Sequence, residues 1–249
     1  IDAIQLGQPT AMFEDPLPFP ENFNYIPPTY MPRLFQRNGQ EKAVIQELWD
    51  AIDLDVDHKP IARPSTVNPN QRVAEKDAFI VWQMSSNNPY PRNSVLNQKE
   101  RLIVSDGQGY FSPEHPATSG VNELYFQYSG YIQPTPSASL EFEKLVETNL
   151  AGKVKVSNVI QRQNDQYGSA NRQFTLAAYI HGNEVDKGVP TKEAASVASK
   201  QKTDVIYVAD IDTLSDFYVS MRETPIVDGV EYRYPNMSFV LNVIDALAD

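Results

Sequence analysis

Along this chain short, fully apolar runs alternate with long polar stretches broken by proline. The clearest runs are residues 78–82 (AFIVW) and 205–209 (VIYVA), with 174–181 (FTLAAYIH) close in character. A run without polar alternation is what a strand covered on both faces shows. Shorter strand candidates are 9–13, 102–105 and the segment 121–131. Helical spacing is different: Val44, Ile45, Leu48, Trp49 and Ile52 recur at three and four residues and predict a helix over 39–52. Asn38 and Glu41 are placed as its cap and capping-box partner. Phe239, Val240, Val243, Ile244 and Leu247 predict a terminal helix, and 142–150 reads as a helical turn or two. Ile1, Ile4 and Leu6, followed by Gly7, read as the end of a helix that needs a left-handed glycine.

Between these elements the chain is punctuated heavily. Residues 16–32 (PLPFPENFNYIPPTYMP) hold too much proline for a helix or a central strand and predict an ordered loop. Its rings, with Phe19, Phe23, Tyr25, Tyr30 and Phe35, form either a lid over the sheet edge or a surface for a partner or carbohydrate. Residues 182–202 form a charged excursion, hairpin or exposed helix. Apolar pentads separated by helices and long loops predict an α/β domain with a mostly parallel sheet and helices on its faces. The long central loops leave room for a β-rich insertion at about 121–180. A start inside a helix that runs straight into a strand suggests an N-terminally truncated piece of a domain.

Composition narrows the function. A net charge of -11 opposes binding to nucleic acid, whose affinity is largely supplied by Lys and Arg neutralising phosphates. No stretch approaches the roughly 20 apolar residues of a membrane-spanning helix, so a soluble domain is expected. The absence of cysteine removes disulfides, thiolate metal sites and cysteine nucleophiles together. It favours a location outside the cytoplasm, where exported proteins lacking cysteine avoid unwanted oxidation.

Carboxylates supply the candidate chemistry. In VIYVADIDTLSDFY a strand ends at Ala209 and Asp210, Asp212 and Asp216 follow at the turn. Strand C-terminal ends are where α/β sheets bind ligands, so these residues, with Asp15 after the first strand, form a candidate ligand-binding rim. The alternative is local: Asp212 or Thr213 caps the next helix and Asp216 is solvated. Asp53, Asp55 and Asp57 imitate the start of a calcium loop, but His58 stands where glycine is needed and Pro64 where a bidentate glutamate is needed. That leaves a loose cation site or a solvated acidic turn. His58, His115 and His181 are far apart, His115 reading as a loop residue and His181 as a strand end. Neither a G-x-S-x-G elbow nor a phosphate-binding glycine loop is present, and no cofactor is implied.

Three ordered segments carry a resemblance. ADIDTLSDFY followed by YPNMSFVLNVIDALAD, with Asn236, Phe239, Asn242, Leu247, Ala248 and Asp249, is similar to the end of the extracytoplasmic domain of GldG-like proteins. These are auxiliary subunits of uncharacterised ABC-type transport systems related to gliding motility. GQPTAMFEDPLP and FSPEHPATSGVNELYFQYSGYI resemble the family's Asp-Pro strand end and its proline, Thr-Ser-Gly, aromatic segment. The resemblance implies a flavodoxin-like fold akin to class I glutamine amidotransferase domains, with its start missing. It implies a parent anchored by membrane helices, with this part at the periplasmic face, and partners among the permease and ATPase subunits or the missing N-terminal half. It carries over no catalytic residue. The expected function is therefore non-catalytic binding of a partner subunit or a ligand such as a glycan. A carboxylate- or metal-dependent hydrolase, with Asp15, Asp210 and Asp212 converging, is the alternative.

Overall fold

In chain order the elements are β1 (Thr10–Phe13), α1 (Val44–Ala51), β2 (Leu54–Asp55), β3 (Ala78–Trp82), β4 (Arg101–Ser105), β5 (Gly109–Phe111), β6 (Glu123–Gln127) and β7 (Gln133–Pro134). They continue with β8 (Glu141–Thr148), β9 (Val154–Asn158), β10 (Thr175–Asn183), β11 (Lys202–Val208), β12 (Ile226–Val227), β13 (Val230–Glu231) and α2 (Asn236–Ala248). The computed structural model describes residues 4, 7–14, 44–55, 78–90, 98–107, 109–149, 153–158, 173–183, 202–215, 218–219, 226–227, 230–231 and 235–248. The proline-aromatic segment, the cap at Asn38 and the excursion after β10 lie outside them.

The central sheet has five strands in the order β1-β11-β10-β8-β5. Only β1 and β11 run parallel; β10 is antiparallel to both β11 and β8, and β5 is antiparallel to β8. Antiparallel pairs β3–β9 and β4–β6 lie beside it. The molecule is thus mixed α/β with a mainly sheet core, and the expected mostly parallel sheet is corrected. The cause is instructive: a continuous apolar run reports cover on both faces, and says nothing of the direction of the neighbouring strand. β8 and β10, from the segment expected as a β-rich insertion, are inner strands of the sheet that holds β11.

Both faces of that sheet are indeed covered. Val205 and Tyr207 of β11, with Ala209 just after it, pack in one core with Trp49 of α1 and Ile52 just beyond it, while Ile206 and Val208 join a second core with Phe239 and Val243 of α2. Successive side chains on a strand point to opposite faces, so one pentad feeds two cores. The same holds for β3, where Ile80 and Trp82 enter the larger core and Phe79 and Val81 pack with Tyr128. Burying a large apolar side chain contributes roughly 1.5–3 kcal/mol, which explains why these pentads are strands whatever their partners.

One further expectation changes. Of residues 142–150, read as helical, 142–148 belong to β8, an eight-residue strand laddered to β10 on one side and β5 on the other. Leu145, Val146 and partly buried Phe142 supply its apolar contacts, so pairing on both edges overrides the helix preference of its Glu, Lys and Leu residues. β1, from the strand candidate at 9–13, ends the sheet and is only half-buried. Gly7 is left-handed as expected, with φ 70° and its N–H donating to Ile4 O at 2.9 Å. A Cβ there would also come within 3.0 Å of the Lys202 carbonyl oxygen, so both backbone angle and space require glycine.

Candidate functional site

The acidic turn after β11 is built around Asp210, which is fully buried. Its Oδ2 accepts from the Gln127 N–H of β6 at 2.6 Å, and its Oδ1 accepts from the Asp212 N–H at 2.7 Å. It thereby caps the 3-10 turn Ile211–Leu214, whose Thr213 hydroxyl returns a bond to the Asp210 carbonyl at 2.9 Å. The neighbouring Ala209 carbonyl accepts from Ser129 Oγ and the Gly130 N–H, at 3.0 and 2.9 Å. Charge-assisted bonds to buried peptide N–H groups are the strong kind, so Asp210 ties the end of β11 to β6. Asp212 is also buried. The Arg101 guanidinium nearby is held below its usual pKa by burial, an effect opposed by Tyr218, Tyr128, Glu100 and Asp212. Asp15 and Asp216 lie outside the described residues, so of the candidate rim the structure brings together Asp210 and Asp212.

α2 is fixed against this junction by side chains pointing at the sheet. Asn236, fully buried, holds both ends of one residue's backbone: its Oδ1 accepts from the Tyr125 N–H at 3.1 Å and its Nδ2 donates to the Tyr125 carbonyl at 2.8 Å. Phe239 is fully buried three residues on. Another three residues on, Asn242 Nδ2 donates to the Ser119 carbonyl at 2.9 Å. The spacing of three places all three on one helical face. The Tyr125 hydroxyl bonds to Glu123 and to the Tyr90 hydroxyl, and burial followed by these bonds holds it far above the usual phenol range. The outward face of α2 is different: Leu241 and Ile244 are 50% and 53% exposed. The 3-10 turn packed beside α2 adds exposed Ile211 and Leu214, and Val219 is exposed as well.

Residues 67–243, from before β3 into α2, match the family of ABC-type uncharacterized transport systems. The chain belongs to this family. Its members are auxiliary components of transport systems, not catalysts. No curated protein and no solved structure matches the chain. The matched stretch carries Asp210, the capped turn, Asn236, Phe239 and Asn242, so the residues behind the sequence resemblance are those that join α2, β6 and β11 in this transport-family fold.

A second cluster of this auxiliary domain was not legible in sequence. His115 and His181 both lie against the Tyr179 ring, with centroid separations of 5.0 and 4.4 Å, the latter pair stacked. Register sets this up, because His181 stands opposite Asp204 on β11 and Glu141 on β8, while Tyr179 stands opposite Glu143. Tyr179 is pushed up to about 12, first by burial and then by its hydrogen bond to Asp204. His115 is not a plain loop residue: its Nδ1 accepts from the Ala117 N–H at 3.1 Å and caps the 3-10 turn Pro116–Thr118. Burial lowers its pKa; Glu143 and Asp204 oppose the fall and His181 adds to it. His181 Nε2 is 3.7 Å from Glu141 Oε2.

Asp53, one of the three alternating aspartates, is neither solvated nor arranged as an open cation ligand. It is buried with φ 56°, and its Oδ2 accepts from Ser139 N–H, Ser139 Oγ and Leu140 N–H at 2.7, 3.0 and 3.3 Å. The carboxylate thus braces the α1–β2 corner against the segment entering β8. Asp57, His58 and Pro64 lie outside the described residues. Among those residues no three His, Cys, Asp or Glu side chains are grouped to hold a metal ion. No helix among them is long and apolar enough to cross a membrane.

Proposed function

We propose that this chain is the extracytoplasmic domain of a GldG-like auxiliary protein, and that it docks on a permease subunit of its own ABC system and through it acts with the ATPase. The observation that carries the reading is the contrast on α2. Its inner face is consumed by Asn236, Phe239 and Val243, while Leu241 and Ile244 stay exposed, as do Ile211 and Leu214 of the turn packed against the helix. Exposed apolar side chains gathered on adjacent elements mark interaction surfaces, whereas single ones need no explanation. The flavodoxin-like part of this reading is supported by the parallel β1–β11 pair with a helix over each face. Location at the periplasmic face, with anchoring by helices of the parent protein, follows from the same family resemblance.

Co-purification tests it. The full chain, tagged and co-expressed with the permease and ATPase of its own system, is expected to capture both. A Leu241→Asp/Ile244→Asp variant with unchanged circular dichroism is expected to lose at least tenfold of that capture. Undiminished capture by the folded double variant excludes this face as the docking surface.

A further inference from the structure

The β8–β10 ladder is irregular between Thr175 and Ala178, where the register shifts twice. Such bulges re-aim side chains and recur beside functional sites. Here the distortion borders a half-open cavity of about 270 Å³ lined by Phe142, Lys144, Glu147, Gln173, Phe174 and Thr175, among others. The volume is near the lower end of ligand pockets, which run to roughly 300–1,000 Å³. It suits one ring better than a chain.

The lining is specific in its polarity. The Glu147 side chain is only 9% exposed, and its Oε1 accepts from Lys144 Nζ at 2.7 Å and from Thr175 Oγ1 at 3.4 Å. Its other oxygen, Oε2, has no hydrogen-bond partner among the described residues. That oxygen is not sealed from solvent, so it stays open to a donor entering the cavity. Lys144, about half exposed, keeps further N–H donors beyond the one given to Glu147. Gln173 spends its Nε2 on Asn149 Oδ1 at 3.2 Å, which leaves its amide oxygen to accept. The apolar side is half-buried Phe142, because Phe174 and Tyr131, in edge-to-face contact at 4.9 Å, are themselves buried behind the lining.

The geometry points to this cavity as a binding site for a neutral, ring-shaped polyol such as a sugar. The Lys144–Glu147 pair makes the polar side net neutral, so an anion meets Glu147 and a cation meets Lys144. A hydroxyl meets neither penalty, since it donates to Glu147 Oε2 and accepts from Lys144 at once. The C–H face of the ring then rests on Phe142, where apolar area is removed from water. This site faces a different set of residues from the outward face of α2, and it stands whether or not that face docks a permease.

Saturation-transfer NMR on the full chain tests the assignment, with glucose, galactose, mannose and N-acetylglucosamine at millimolar concentration, and glucuronate and glucosamine as charged comparators. At least one neutral sugar is expected to receive saturation on its ring protons, more strongly than either charged comparator. Phe142→Ala is expected to abolish the transfer, and Glu147→Gln and Gln173→Ala each to weaken binding about tenfold. Gln173 is exposed, so its variant keeps the test valid if a core change fails to fold. Absence of transfer to every neutral sugar, equal binding of the charged comparators, or unchanged binding by folded Phe142→Ala and Gln173→Ala chains overturns the proposal.

Discussion

The junction around Asp210 and the cluster around Tyr179 are built from similar residues, acidic and aromatic side chains on the same sheet, yet they use them differently. Asp210 is sealed from water, and each of its carboxylate oxygens is held by a peptide N–H. Glu141, beside His181, keeps 78% of its side chain exposed. At the junction the charge is spent on the fold, joining β11, β6 and the capped turn. At the cluster the charge is available at the surface. An acidic residue after a strand is therefore not a ligand site by position alone, and what separates the two cases is which groups fill its oxygens.

Breaking the junction has the largest expected effect. Asp210→Ala removes both acceptors and strands the Gln127 and Asp212 amides in the interior, where each costs roughly 1–3 kcal/mol. Urea unfolding is expected to show a loss of about 3 kcal/mol, and a loss below about 1 kcal/mol denies Asp210 this bracing role. Asn236→Ala comes next, since it removes the paired bonds to the Tyr125 peptide that seat the start of α2 on β6. The expected loss is about 2 kcal/mol, two neutral hydrogen bonds of about 1 kcal/mol each.

The smallest of these effects belongs to the surface cluster and appears in its pH dependence. His115 accepts the Ala117 N–H only while its Nδ1 is unprotonated, and its folded pKa lies below the ordinary value. The unfolded chain then binds the proton first as pH falls, so the stability from this group is complete above about 6.5 and declines as pH drops from there toward the folded pKa. Glu143, Asp204 and His181 face the same ring. An His115→Asn variant, which keeps a capping oxygen without a titrating ring, is expected to flatten this part of the profile. An unflattened profile assigns the pH dependence to other groups.

Much of the fold was legible because burial leaves a mark on sequence. The pentads at 78–82 and 205–209 became strands covered on both faces, and the spacing from Phe239 onward became α2. Strand direction left no such mark, because an antiparallel neighbour buries the same side chains as a parallel one. β8 was missed since its local residues favour a helix and only its two partner strands decide otherwise. At the junction the sequence located Asp210 and Asp212 and offered capping beside ligand binding, but it named Asp212 or Thr213 as the cap. The structure gives that role to Asp210, whose Oδ1 accepts from the Asp212 N–H, while its Oδ2 takes the N–H of Gln127, 83 residues away. The His115–Tyr179–His181 arrangement depends wholly on register and on a turn more than sixty residues upstream, so no local pattern announces it. Asn236, Phe239 and Asn242 are the opposite case, since one helical face records their shared purpose.

Hydrogen–deuterium exchange on the full chain, alone and with the detergent-solubilised permease–ATPase complex of its own system, tests the docking reading most directly. The account predicts slowed exchange in peptides containing Ile211, Leu214, Leu241 and Ile244, with peptides of α1 unchanged. Slowed exchange confined to α1 or to the Tyr179 cluster, with α2 unaffected by the complex, contradicts it.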